Sequence, residues 1–210
     1  MSYMFAAMTS GSTNDCHSQF NQPLDNWDTS NVTNMSHMFV CASSFNQSLN
    51  NWNTSNVTNM EGMFGGLNSF AQFSGATSFN QPLYNWNTSN VTNMGSMFRG
   101  TRFNQPLNNW NTSKVTDMSY MFSGAESFDQ PLNDWDTSNV TSMSYMFYGA
   151  KKFNQSLDNW DIHSIKYISG IFKDSGLWKY NYCKLFEGKS KAIWRKYKSE
   201  LGVSSSYECN

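Results

Sequence analysis

The chain has 210 residues, of which 14% are charged and 16% aromatic, and its formal net charge is −1. So little charge beside so many aromatics excludes a disordered chain, because there is ample apolar surface to bury. The near-neutral balance gives no global attraction to nucleic acid or an anionic membrane, and no apolar run reaches the ~18 residues of a membrane-spanning helix.

In chain order, the first residues read MSYMF, identical to residues 118–122 and 143–147. A repeating turn is thus entered halfway, which is expected to leave an unpaired edge near residues 23–27. That edge is expected to dock on a neighbouring subunit; a longer native chain, or the first loop folded across the edge, are the alternatives. No charged stretch followed by an apolar one stands at the N-terminus, so no signal peptide is expected there. Residues 6–19 read as a loop insertion rich in small polar residues.

From Phe20 onward the sequence is periodic. Trp27, Trp52, Trp86, Trp110, Trp135 and Trp160 are spaced by 25, 34, 24, 25 and 25 residues, the long step reflecting a second insertion at 65–78. Met35, Met60, Met94, Met118 and Met143 keep the same step, as do rows of Val, Phe and Leu. A fixed period in this range marks a repeat solenoid, in which each turn must match its neighbour and no turn folds alone. Within a turn, V-x-x-M-x-x-M-F-x-x-A places apolar groups in a helical stripe after a DTSN or NTSN cap. NQPLDNW reads as an extended segment that pairs in parallel with its copies; a strand at NVTNM is the alternative. The predicted fold is therefore an α/β repeat solenoid over residues 1–176, with one short parallel strand and one short helix per turn of roughly 25 residues. Asn26, Asn51, Asn85, Asn109, Asp134 and Asn159 each precede a Trp. They are expected to line up as a side-chain ladder and are the candidate binding residues.

Beyond Phe172 the charge balance inverts. Residues 1–172 carry six Lys/Arg and eleven Asp/Glu, against eight and four in 173–210. NYCKLFEG and KSKAIWRKYKSELG read as two amphipathic helices, so residues 177–210 are expected to form a basic cap on the last turn. A basic docking helix for an acidic partner or nucleic acid is the alternative. Cys16, Cys41, Cys183 and Cys209 are expected to be free thiols, because the other repeats do without a cysteine at the Cys41 position. Two disulfides, in any of three pairings, are the competing possibility.

The phrase FNQPLDNWDTSNVTNMSHMF resembles the 25-residue repeat of the BspA-family leucine-rich-repeat surface proteins, over about residues 20–178. The resemblance implies a right-handed, leucine-rich-repeat-like coil, display on a cell or particle surface, and a link to adhesion. It brings no catalytic residues.

Chemistry-bearing residues are sparse. His17, His37 and His163 occupy unrelated repeat positions, and Cys16 beside His17 is too few ligands for zinc. No phosphate loop or activated serine is present, so no enzyme, metal or cofactor is expected. The expected function is a protein-interaction or structural scaffold, working on a protein partner or neighbouring subunit. The alternative is a glycan-binding module that uses an exposed Trp/Asn row, with Trp as core the competing placement. Nucleic acid and membrane insertion are not expected. Two threonine rows, beginning at Thr29 and Thr33, are offset by four residues and so do not share a flat strand face.

Overall fold

The computed structural model describes residues 18–66, 75–203 and 209. The half-turn at residues 1–5, nearly all of the first insertion and the middle of the second lie outside these residues.

Each repeat is a succession of tight turns. In the repeat of Trp110, the amides of Trp110, Val115, Met121, Ser123, Ala125 and Phe128 donate to the carbonyls of Leu107, Thr112, Met118, Tyr120, Phe122 and Ala125. A turn closed between residues three apart returns both to the same side of the chain. A string of such turns therefore buries every third residue and copies the spacing of a helical stripe without being a helix. Other amides cross to the next repeat: Met118 donates to Ser142, Tyr120 to Ser144 and Phe122 to Met146. These alternate residues pair as a parallel strand would, but Tyr120 between them has φ 56°. A left-handed residue interrupts an extended run and a right-handed helix alike.

The expected α/β leucine-rich-repeat-like solenoid, with a strand and a helix per turn, is therefore not the fold. Among the described residues there is no strand, only isolated parallel bridges running Asn34, Asn59, Asn93, Asp117, Ser142, Tyr167. They lie in the NVTNM phrase, and NQPLDNW forms none. Among the described residues helix is confined to the C-terminal segment, as α1 (Lys179–Lys184), α2 (Lys191–Lys196) and a 3-10 turn (Lys198–Glu200). These are shorter than the two helices expected there.

The interior is a set of columns. Phe rings of successive repeats stack, as in Phe98 on Phe122 at 5.7 Å and Phe122 on Phe147 at 5.7 Å. Indole Nε1 groups of Trp52, Trp86, Trp110, Trp135 and Trp160 donate to Leu24, Leu49, Leu83, Leu107 and Leu132 carbonyls one repeat back. The buried Thr29, Thr54, Thr88, Thr112 and Thr137 hydroxyls donate one repeat forward.

The C-terminal segment supplies what a further repeat would. Gly170 and Phe172 amides donate to Glu200 and Leu201, and Ile162 N donates to Ser190 Oγ. Trp194 meets Phe172 at 6.1 Å with a 32° tilt, repeating the contact of Trp160 with Phe147 at 6.3 Å and 30°. Cys183 and Cys209 form a disulfide and Cys41 is also disulfide-bonded, which corrects the expectation of free thiols. Cys41 stands with φ 64° where Gly100, Gly124 and Gly149 stand in later repeats, a site that does not need a thiol for packing.

Candidate binding surfaces

Asn26, Asn51, Asn85, Asn109, Asp134 and Asn159 are all exposed. They do not bond to one another as a ladder. Asn109 Nδ2 donates to Tyr84 O at 2.5 Å, while the amides of Asn85 and Asn159 donate to Asn50 Oδ1 and Asn133 Oδ1. The ladder stands five residues earlier, at Asn21, Asn46, Asn80, Asn104, Asp129 and Asn154. Each Oδ1 accepts the amide of the next member at 2.8–3.0 Å, and Asn154 accepts Trp178 N at 2.9 Å. The signal was the recurring Asn/Asp-Gln pair after each Phe, since Gln47, Gln105, Gln130 and Gln155 also donate into the ladder.

Met35, Met60, Met94, Met118 and Met143 are fully buried, as are Trp52, Trp86, Trp110, Trp135 and Trp160 to within 4%. Trp27, in the first described turn, is partly buried and stacks on Trp52 at 6.4 Å. With their faces in the core, these indoles offer no platform to a sugar ring.

A shallow depression beside Asp134 and Asn159 also holds Asp136, Asp161 and Lys189. The Ser138 hydroxyl and amide hold the Asp136 carboxyl below the usual carboxylate range, and His163 does the same to Asp161. Both carboxylates are thereby committed to turns of their own chain. No group of three or more His, Cys, Asp or Glu side chains among the described residues is placed to hold a metal ion.

A different surface stands out by its backbone. The position occupied in turn by His37, Gly62, Ser96, Tyr120, Tyr145 and Gly170 is left-handed in every described repeat, with φ between 55° and 64°. Bulky residues are rare there, because Cβ crowds the following carbonyl. Tyr120 and Tyr145 nonetheless occupy it, with rings stacked at 5.1 Å. Arg99 lies 5.1 Å over the Tyr120 ring, Tyr148 meets Tyr145 edge-on at 6.1 Å, and Lys173 Nζ lies 5.8 Å over Tyr148. The result is a continuous ridge across neighbouring repeats, with Tyr148 38% exposed. Desolvation pulls the Arg99 pKa down and Tyr120 opposes it. Among the described residues no carboxylate forms an ion pair with Arg99 or Lys173. Residue-type reasoning missed this ridge, because only the two tyrosines at equivalent positions hinted at it.

A protein of this construction is defined by stacked turns, a columnar core and side-chain surfaces that run the length of the stack. Residues 1–73 and 70–184 match the family described as Mycoplasma protein of unknown function, DUF285, and the chain belongs to that family. No curated protein and no solved structure matches it. Because the family's function is unknown and the described residues hold no strands, the leucine-rich-repeat and adhesion assignments implied by the BspA resemblance are withdrawn. No helix among the described residues is long and apolar enough to cross a membrane.

Proposed function

We propose that this protein is a non-enzymatic scaffold that binds a protein partner through the ridge Arg99–Tyr120–Tyr145–Tyr148–Lys173. The observation that carries the reading is the pair of tyrosines held at φ 56° where Gly62 and Gly170 stand in other repeats. Glycine is the residue that backbone geometry favours, so retention of stacked, partly exposed rings points to a use for the rings. Tyr and Arg are the side chains enriched at binding hot spots, and Ser-flanked tyrosines give rigid contact area at small entropic cost. Ser119, Ser144 and Ser169 flank this ridge one residue before its left-handed positions. Two cations that form no ion pair with a carboxylate among the described residues favour an acidic segment as the occupant.

Selection of displayed peptides against the purified chain tests the reading. Acidic peptides should be enriched on the wild type and lost on Tyr145→Gly with Arg99→Ala, while both proteins melt within about 1 kcal/mol of each other, since relief of the left-handed residue offsets the lost stack. Enrichment that ignores these substitutions, or binding confined to a glycan array, would remove the ridge from consideration.

A further inference from the structure

The chain that leaves the last repeat runs back along its neighbour. Gly176 N donates to Ala150 O at 3.0 Å and Trp178 N to Asn154 Oδ1 at 2.9 Å. A Cβ on Gly176 would strike the Lys151 carbonyl, so the two segments touch. This brings Lys151 and Lys152 to the edge that carries Trp178, Lys179 and Tyr180, and Lys184 Nζ lies 5.5 Å over the Tyr180 ring. Trp178 and Tyr180 are each 70% exposed, the most open large apolar side chains described. Acidic groups at this edge are few among the described residues: Glu187 pairs with Lys184, Asp158 acts on the same lysine from farther off, and Asp174 offers its carbonyl to Lys151. Lys151, Lys152 and Lys179 have no ion pair among the described residues.

We infer that this edge is a second binding site, which seats the protein on a phospholipid bilayer rich in anionic headgroups. Indole and phenol rings with polar tips settle at headgroup depth, and lysines gather at an anionic leaflet. Lysine stems lie along apolar surface while their ammonium groups stay hydrated. A protein partner is disfavoured because lysine is depleted from such interfaces and this edge gathers Lys151, Lys152, Lys179 and Lys184, whereas the ridge carries Lys173 alone. A single nucleic-acid strand is held by a succession of rings along a basic groove, and this edge presents two rings. Without a spanning helix in the described residues, the contact is peripheral.

Flotation of the full chain with phosphatidylcholine vesicles containing one-third phosphatidylserine tests the inference, with pure phosphatidylcholine vesicles and an oligothymidine strand as comparisons. The chain should float with the anionic vesicles only, and should release in high salt as surface charge is screened. Trp178→Ala with Tyr180→Ala should weaken the partition by about tenfold or more, in line with the loss of two interfacial anchors. An unchanged near-ultraviolet spectrum would show that this variant is folded. Failure of the wild type to float, equal flotation of the double variant, or capture of the oligonucleotide without vesicle binding would each overturn the inference. The ridge of the proposed scaffold is untouched by these substitutions, so peptide binding should survive them.

Discussion

The left-handed position in each repeat governs how neighbouring turns meet. His37 leans over Gly62 and the Tyr145 ring over Gly170, so that a Cβ added at Gly170 would sit 2.6 Å from Tyr145 Cε1. Gly170→Ala should therefore destabilise the protein by about 1–3 kcal/mol, by strain at φ 64° and by the clash together. Adding Tyr145→Ser should recover only the steric share in a urea melt. The same position carries a titration. Desolvation lowers the His37 pKa from its ordinary 6.5, with Glu61 opposing. The unfolded chain then takes up the proton at a higher pH than the folded one, so the stability tied to neutral His37 is complete above pH 6.5. It is lost as pH falls from there through the folded pKa. Melting curves between about pH 7.5 and 5 should decline for the wild type and be flatter for His37→Gln. None of this was legible in the sequence. Tyr, Ser and His do not announce positive φ, whereas the glycines at 100, 124 and 149 do.

At the level of the turn, the sequence showed which residues are interior but not the backbone that puts them there. Rows such as Val57, Met118 and Phe98 recur without polar replacement because each faces its own copies in a column with no water. Their spacing of three was ambiguous, since serial tight turns and a helix both bring every third residue to one side. Met118→Asp should unfold more than its own repeat, because an unpaired buried charge costs several kcal/mol and each repeat is held by its neighbours. A single, lowered thermal transition would show it, and an unaltered melt would count against the columnar core. The amide ladder was anticipated in the wrong row for a related reason. Asn109 and Asn104 are equally regular in sequence, and only the course of the backbone decides which reaches the next repeat. Asn104 uses Oδ1 to accept Asp129 N and Gln130 Nε2. Asn104→Asp keeps that acceptor, as Asp129 itself does for Asn154 N, and should be tolerated. Asn104→Leu should cost about 1–2 kcal/mol in the same melt, through an unsatisfied amide.

Over the whole molecule, the stack is continued to its C-terminal end by residues outside the periodic pattern. Trp194 takes the place of the next indole over Phe172, yet its Nε1 is buried without a hydrogen-bond partner among the described residues. Trp135 Nε1, by contrast, donates to Leu107 O at 3.0 Å. Trp135→Phe should therefore cost about 0.5–1.5 kcal/mol more than Trp194→Phe, because only the former gives up a hydrogen bond, Leu107 O keeping the Trp110 amide. Equal losses would mean that volume, not hydrogen bonding, sets the column. The basic end segment was recognisable from its charge inversion. The bond that fastens it was not, because spacing alone does not select among the three possible pairings of the cysteines. Cys183 and Cys209 lie 26 residues apart in sequence and enclose Trp194 and Leu201, the groups that meet Phe172. Closing a loop of that length removes about 3 kcal/mol of denatured-state freedom. For a chain of this size, 1 kcal/mol shifts the melting temperature by roughly 2–4 °C. Cys183→Ser with Cys209→Ser should thus melt about 10 °C lower than the oxidised protein. Because Cys41 is bridged as well, a further fall on adding reductant to this variant reports that second bond and separates the two. A double variant that melts with the wild type would show that Trp194 on Phe172 and the amides of Gly170 and Phe172 hold the end of the stack without a covalent clamp.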